Sequence, residues 1–122
     1  MKLSDLDKVI ELIERGWCRE FEAKTCENGG VDYDSPHAVA WDVRGAFAKV
    51  LGVEECHKHA PTIFASLTGR VASVANAFGR LADWNDQAAS QSLILARLRT
   101  WRGELAENAA IRRANQKKRG AV

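Results

Sequence analysis

"PTIFASLTGRVASVANAFGRLADWNDQAAS", residues 61 to 90, decides the fold. Ile63, Phe64, Leu67, Val71, Val74, Phe78 and Leu81 recur at intervals of three and four, the signature of one buried stripe on a helix. Pro61 suits a first helical turn, where its missing N–H is no loss. The spacing predicts helix over 61–82, which Gly69 bends or splits. Periodicity then lapses until Ser90, a residue type that caps helices. Between the two patterns stand Trp84, Asn85 and Asp86, read as a joint whose ring plugs a gap while the polar pair covers helix ends.

The rest of the chain repeats this pattern. Ser4 is the expected cap of a helix over 5–15, with Leu6, Val9, Ile10 and Ile13 on its buried face and Gly16 as a left-handed stop. Ser35 and Pro36 open a predicted helix over 36–51 that buries Val39, Val43, Ala46, Phe47, Val50 and Leu51. Gly45 inside it implies close approach of another backbone, since glycine costs a helix interior about 1 kcal/mol relative to alanine. "VEECHKH" (53–59) reads as a polar connection. Ser90 caps a last helix over 90–106 through Ile94, Leu98, Trp101 and Leu105. Residues 17–33 alternate with a period of two around "ENGG", which fits one small hairpin. Such stripes bury best against one another. The expected fold is therefore mainly α: a compact bundle of four to five helices, with a small β-hairpin near 17–33. Residues 1–108 form the domain and 109–122 a basic, disordered tail.

With 122 residues, 46% hydrophobic and 28% charged, the chain has the composition of one ordinary globular domain. No apolar run approaches the roughly 20 residues that cross a bilayer. The acid-bearing N-terminus lacks the pattern of a signal peptide, and three cysteines fit a reducing compartment; both point to the cytoplasm. The net charge of +2 hides an asymmetry: residues 1–59 carry 12 acids and 8 bases, residues 60–122 carry 4 acids and 10 bases. Five of those bases lie in "RRANQKKRGAV" at the end of the chain.

Few residues form a chemical constellation. Cys56, His57 and His59 cluster in "ECHKH", with Cys18, Cys26 and His37 elsewhere, yet no C-x2-C spacing marks a zinc site. Cys18 lacks the surroundings of a nucleophile, and no phosphate loop, nucleophile elbow or H-E-x-x-H is present. The expectation is no catalytic residue, no metal and no cofactor. Arg70, Arg80, Arg97, Arg99 and Arg102, with Arg112, Arg113, Lys117, Lys118 and Arg119 of the tail, are the candidates for nucleic-acid contacts. A solvated basic face, and for the tail a frayed soluble end, is the preferred reading of them.

Three tryptophans each adjoin small polar or reactive groups: Trp17 with Cys18, Trp41 with Asp42, and Trp84 with Asn85 and Asp86. Singly, each has a structural explanation; together they suggest one aromatic-lined patch for a small molecule or a protein partner.

The motifs "LIERGWC", "AVAWDVRGAF" and "ADWND" resemble a family of short uncharacterised proteins of bacteria and their phages, whose pattern reads G-W-C, then W-C-x-x-G-A, then W-N-D. The likeness spans about residues 6–106. It falls on Gly16, Trp17, Cys18, Trp41, Gly45, Ala46, Trp84, Asn85 and Asp86, and departs at Asp42, where the family commonly carries cysteine. It implies a shared scaffold and a shared patch rather than a reaction. The expected function is thus a non-catalytic cytoplasmic accessory protein of a phage or mobile element. The alternatives are a nucleic-acid-associated protein and, third, a metal- or thiol-dependent enzyme.

Overall fold

The computed structural model describes residues 1–88 and 90–120. Five helices carry the fold: α1 (Leu3–Arg15), α2 (Val43–Leu51), α3 (Val53–Thr68), α4 (Val74–Gln87) and α5 (Gln91–Gly120). Between α1 and α2 lie three two-residue strands, β1 (Ala23–Lys24), β2 (Gly30–Val31) and β3 (Ala40–Trp41), in antiparallel order β2-β1-β3. The predicted helical bundle with a small β element is what forms, and β3 adds a strand to the expected hairpin. α1 packs on α2 and α5, and α3 packs on α2 and α4. Leu6, Ile13, Phe47, Ile63, Leu67, Leu81, Ile94 and Leu98 are buried in the shared core. No helix among the described residues is long and apolar enough to cross a membrane.

Several boundaries differ from those the spacing predicts, each for an identifiable reason. α1 begins before Ser4: Lys2 is its cap residue, and the Lys2 N–H donates to the Asp5 carboxylate at 2.9 Å. Gly16 is not a left-handed stop, for its φ of −178° is ordinary extended backbone. It is glycine because a Cβ there would stand 2.2 Å from the Val39 carbonyl oxygen. The helix expected over 36–51 starts only at Val43. Ser35 and Pro36 make a turn instead, and Asp42 is the working cap, its Oδ1 accepting from Gly45 N–H at 2.7 Å. The backbone of Ala40 and Trp41 pairs with β1, and Trp41 N–H also donates to Gly16 O at 3.0 Å. These sheet bonds replace the helix, and Val39 faces outward rather than into the core.

"VEECHKH" is not a connection but the opening of α3. The stripe begins at Cys56, which is fully buried, and continues through Ala60, Ile63, Phe64 and Leu67 at helical spacing. Pro61 therefore sits inside the helix rather than at its start. Gly69, at φ 73°, ends α3, so the expected 61–82 helix is split. Val71, in the intervening loop, is 88% exposed. Trp84, Asn85 and Asp86 lie inside α4, which ends only at Gln87; α5 begins at Gln91, and Ala89 is outside the described residues. Ser90 does cap α5, accepting from Leu93 N–H at 3.2 Å. α5 runs on to Gly120 through the stretch expected as a disordered tail, because 107–119 is mostly Ala, Arg, Lys, Gln and Glu, strong helix formers, and holds no Gly or Pro. Residues 121 and 122 of that tail lie outside the described residues.

Candidate functional site

After α1 the chain pairs with Trp41 at Trp17 and then bends over residues 19–22, crossing the starts of α2 and β1 and the end of α4. One buried side chain binds this segment to both helices. Asn85, on α4, has no exposure and uses its amide fully. Its Oδ1 accepts from Trp17 Nε1–H at 2.8 Å and from Val43 N–H at 3.0 Å. Its Nδ2 donates to Cys18 O at 3.0 Å and to Asp86 Oδ1 at 3.3 Å. The orphan N–H at the start of α2 is thereby satisfied from another helix.

Four further contacts extend the clamp. Glu20 N–H donates to Asp86 Oδ1 at 2.9 Å, and Asp42 N–H donates to Glu22 O at 3.0 Å. Arg19 stacks its guanidinium 4.5 Å from the Trp17 ring centre and donates to Ala88 O at 2.6 Å. Gly45 is the close approach its position predicts: a Cβ there would stand 2.0 Å from Glu22 O. The G-W-C, W-D-x-x-G and W-N-D motifs, far apart in sequence, are thus parts of one hydrogen-bonded assembly.

Burial sets the electrostatics of this assembly. Asp42 is enclosed, and burial raises its carboxyl to a pKa of about 7 against the opposing pull of Gly45 N–H and of Arg44, whose Nε lies 2.9 Å from Oδ2. Burial, reinforced by the charge of Asp42, raises the Cys18 thiol to about 11, and its Sγ–H faces Phe21 O at 3.5 Å. Burial likewise pushes the Cys56 thiol up to about 12. All three cysteines are unpaired thiols, and among the described residues no group of three or more His, Cys, Asp or Glu is placed to hold a metal.

The tryptophans do not share one patch. Trp17 and Trp41 are neighbours through their backbones, but the Trp41 ring is buried and its Nε1–H donates to Tyr33 O at 3.0 Å. Trp84 is half-buried on another face, in a shallow cleft with Phe64, Arg70, Arg80, Asp83 and Gln87. Asp42, Asn85 and Asp86 serve the clamp, and only Trp17 and Cys18 of the predicted set line an open cleft beside it. That cleft, of about 520 Å³, continues past Arg19, Glu20, Lys24 and Asn28. A second, of about 640 Å³, opens on the other side of the segment between Glu20, Phe21, Glu22, Asp32, Ser35 and Arg44.

Glu20 borders both clefts and is the feature the sequence did not mark. It holds a left-handed backbone at φ 75° although it is not glycine, and it is exposed. Phe21 beside it is 45% exposed, its ring lying against Gly30, where a Cβ would meet it at 2.4 Å. A period-two reading of 17–23 gives no hint of this turn. Of the basic candidates, Arg99 pairs with Glu14 at 2.8 Å and Arg102 with Asp7 at 2.9 Å, joining α5 to α1. Comparison of the chain with known protein families, curated proteins and solved structures finds no match.

Proposed function

We propose that the chain is a non-catalytic binding protein whose recognition surface is the Arg19–Glu22 ridge and the clefts beside it. The observation that carries this reading is Glu20. A left-handed backbone in a non-glycine residue costs on the order of 1–3 kcal/mol and persists where surrounding contacts hold it. Here the Asp86 carboxylate holds it, at the shared rim of two open clefts, with Phe21 displayed alongside. A ridge fixed before binding loses little further entropy when a partner docks.

The larger cleft bears Glu20, Glu22 and Asp32 against Arg44, whose guanidinium is already engaged by Asp42. It is wide open, whereas small-molecule pockets enclose most of their ligand. Both features favour a protein partner offering a basic segment with an apolar side chain to lie on Phe21. High thiol pKa values at Cys18 and Cys56 support binding over thiol chemistry, because the thiolate is the nucleophile. The sequence resemblance to short phage and bacterial proteins supports reading such a partner as a phage or mobile-element protein, with this chain as its cytoplasmic accessory.

The test is amide NMR with short peptides that pair lysine or arginine with an aromatic residue, against acidic peptides of equal length. Shifts gathered at 19–22 and 30–32, lost in Phe21→Ala and in Asp32→Lys, are expected. Equal, scattered shifts with both peptide classes would overturn the reading.

A further inference from the structure

α5 is far longer than its packing requires. Its buried anchors are Ile94, Leu98 and Trp101, with Leu95, Leu105 and Ala106 partly covered. From Glu107 to Gly120 every side chain is exposed except the partly covered Ala109. At 1.5 Å per residue this is about 20 Å of helix extending past the core contacts. It holds Arg112, Arg113, Lys117, Lys118 and Arg119, and no acid follows Glu107. Arg112 reaches only the Asn108 carbonyl at 3.5 Å, and among the described residues no carboxylate lies in ion-pair reach of the five.

From this charged, unpartnered helix we infer a second binding surface, independent of the ridge: residues 112–119 of α5 bind the phosphate backbone of duplex DNA. Charge density supports the pairing. Five cations occupy about 11 Å of helix axis, while a duplex carries one negative charge per roughly 1.7 Å, or about six over the same length. Their arrangement selects the partner. At about 100° per residue, Arg113, Lys117, Lys118 and Arg119 stand near 100°, 140°, 240° and 340° from Arg112. Cations thus surround the helix with no sector wider than about 100° left bare.

A flat anionic membrane or protein surface rewards charge on one side, and membrane helices add a broad apolar face. This extension has Ile111 as its one large apolar residue. A major groove about 12 Å wide flanks an inserted helix with phosphates on both sides. The inner arginines are not part of this surface where α1 holds them, as at Arg99 and Arg102.

The test is fluorescence anisotropy of a labelled duplex of about 20 base pairs, of arbitrary sequence, with the full chain at salt from about 50 to 200 mM. Five phosphate contacts give a slope of log K on log salt near −4.5, about a 500-fold loss of affinity across that range. Replacing all five bases with glutamine, itself a good helix former, should abolish binding while circular dichroism stays unchanged. Each single substitution, such as Lys117→Gln, should flatten the slope by about 1. Three results would overturn the proposal: no binding at low salt, an unchanged slope in the quintuple variant, or salt-sensitive self-association in place of DNA binding.

Discussion

Replacing Asn85 with leucine keeps the number and branching of side-chain heavy atoms and deletes four hydrogen bonds. The cost follows from where their partners lie. Val43 N–H and Cys18 O belong to buried residues and have no other partner shown, so each loses its bond without gaining water. An orphaned buried group costs about 1–3 kcal/mol. Trp17 Nε1–H is on a half-buried ring and recovers part of its loss from solvent. The Asp86 carboxylate keeps Glu20 N–H and loses a longer 3.3 Å contact. The sum is about 3–6 kcal/mol, a large share of the roughly 5–15 kcal/mol that stabilises a typical domain.

Urea unfolding followed by tryptophan fluorescence reads this directly, with the slope against urea serving as a check that the transition stays two-state. Asn85→Asp sharpens the test. It keeps the acceptor for Trp17 and Val43 but sets a charge against Cys18 O and Asp86, so it should be worse near pH 7 than near pH 4, where a carboxyl is protonated. A leucine variant within about 1 kcal/mol of the parent would refute the clamp.

Four further outcomes are expected. Gly45→Ala should destabilise, although helix propensity alone favours alanine by about 1 kcal/mol, because its Cβ would meet Glu22 O at 2.0 Å; chemical unfolding gives the sign. Asp42, raised to about 7 from 3.8, binds its proton more tightly folded than unfolded. Stability should therefore fall as pH rises from about 4 to 7, and that slope should shrink in Asp42→Asn, measured by urea midpoints across pH. Removing 110–122 should leave the melting temperature nearly unchanged in a thermal scan, since the helical side chains described there are all exposed. Trp84→Ala should cost less than the 3–5 kcal/mol of a fully buried ring, because that ring is half-buried and lines a surface cleft.

The helical stripes were legible because burial in a bundle leaves a local trace: Leu6 to Ile13 and Ile94 to Trp101 repeat at three and four in the sequence and are buried in the fold. Errors arose where local rules offered two answers. Ser35-Pro36 and Asp42 are both good helix starts, and only the pairing of Trp41 with Gly16, Cys18 and β1 selects Asp42. Cys56 counts as polar in a local tally yet opens a buried stripe. Asn85 and Asp86 read as a joint because apolar spacing lapses between Leu81 and Ser90, yet both face the clamp from within α4. Their reason for doing so lies 42 to 68 residues away, at Val43, Glu20, Cys18 and Trp17.

That distance explains why the W-N-D motif carries an amide on the buried side of α4. A tryptophan N–H, a helix-start N–H and a loop carbonyl buried together need a partner with two acceptor positions and a donor, and an amide side chain is the compact residue that supplies both. Asp86 then completes what Asn85 begins, turning Glu20 into a conformation that an unsupported chain avoids. Glu20→Gly separates the structural role of that turn from its use in binding. Glycine accepts φ 75° without strain, so the variant should be no less stable in urea than the parent, despite glycine's freedom in the unfolded chain. Its binding of aromatic-basic peptides should weaken, because a cleft carboxylate is gone and the ridge is free to move. If stability drops by more than about 1 kcal/mol, the Glu20 side chain holds the fold and the ridge is not a device for recognition.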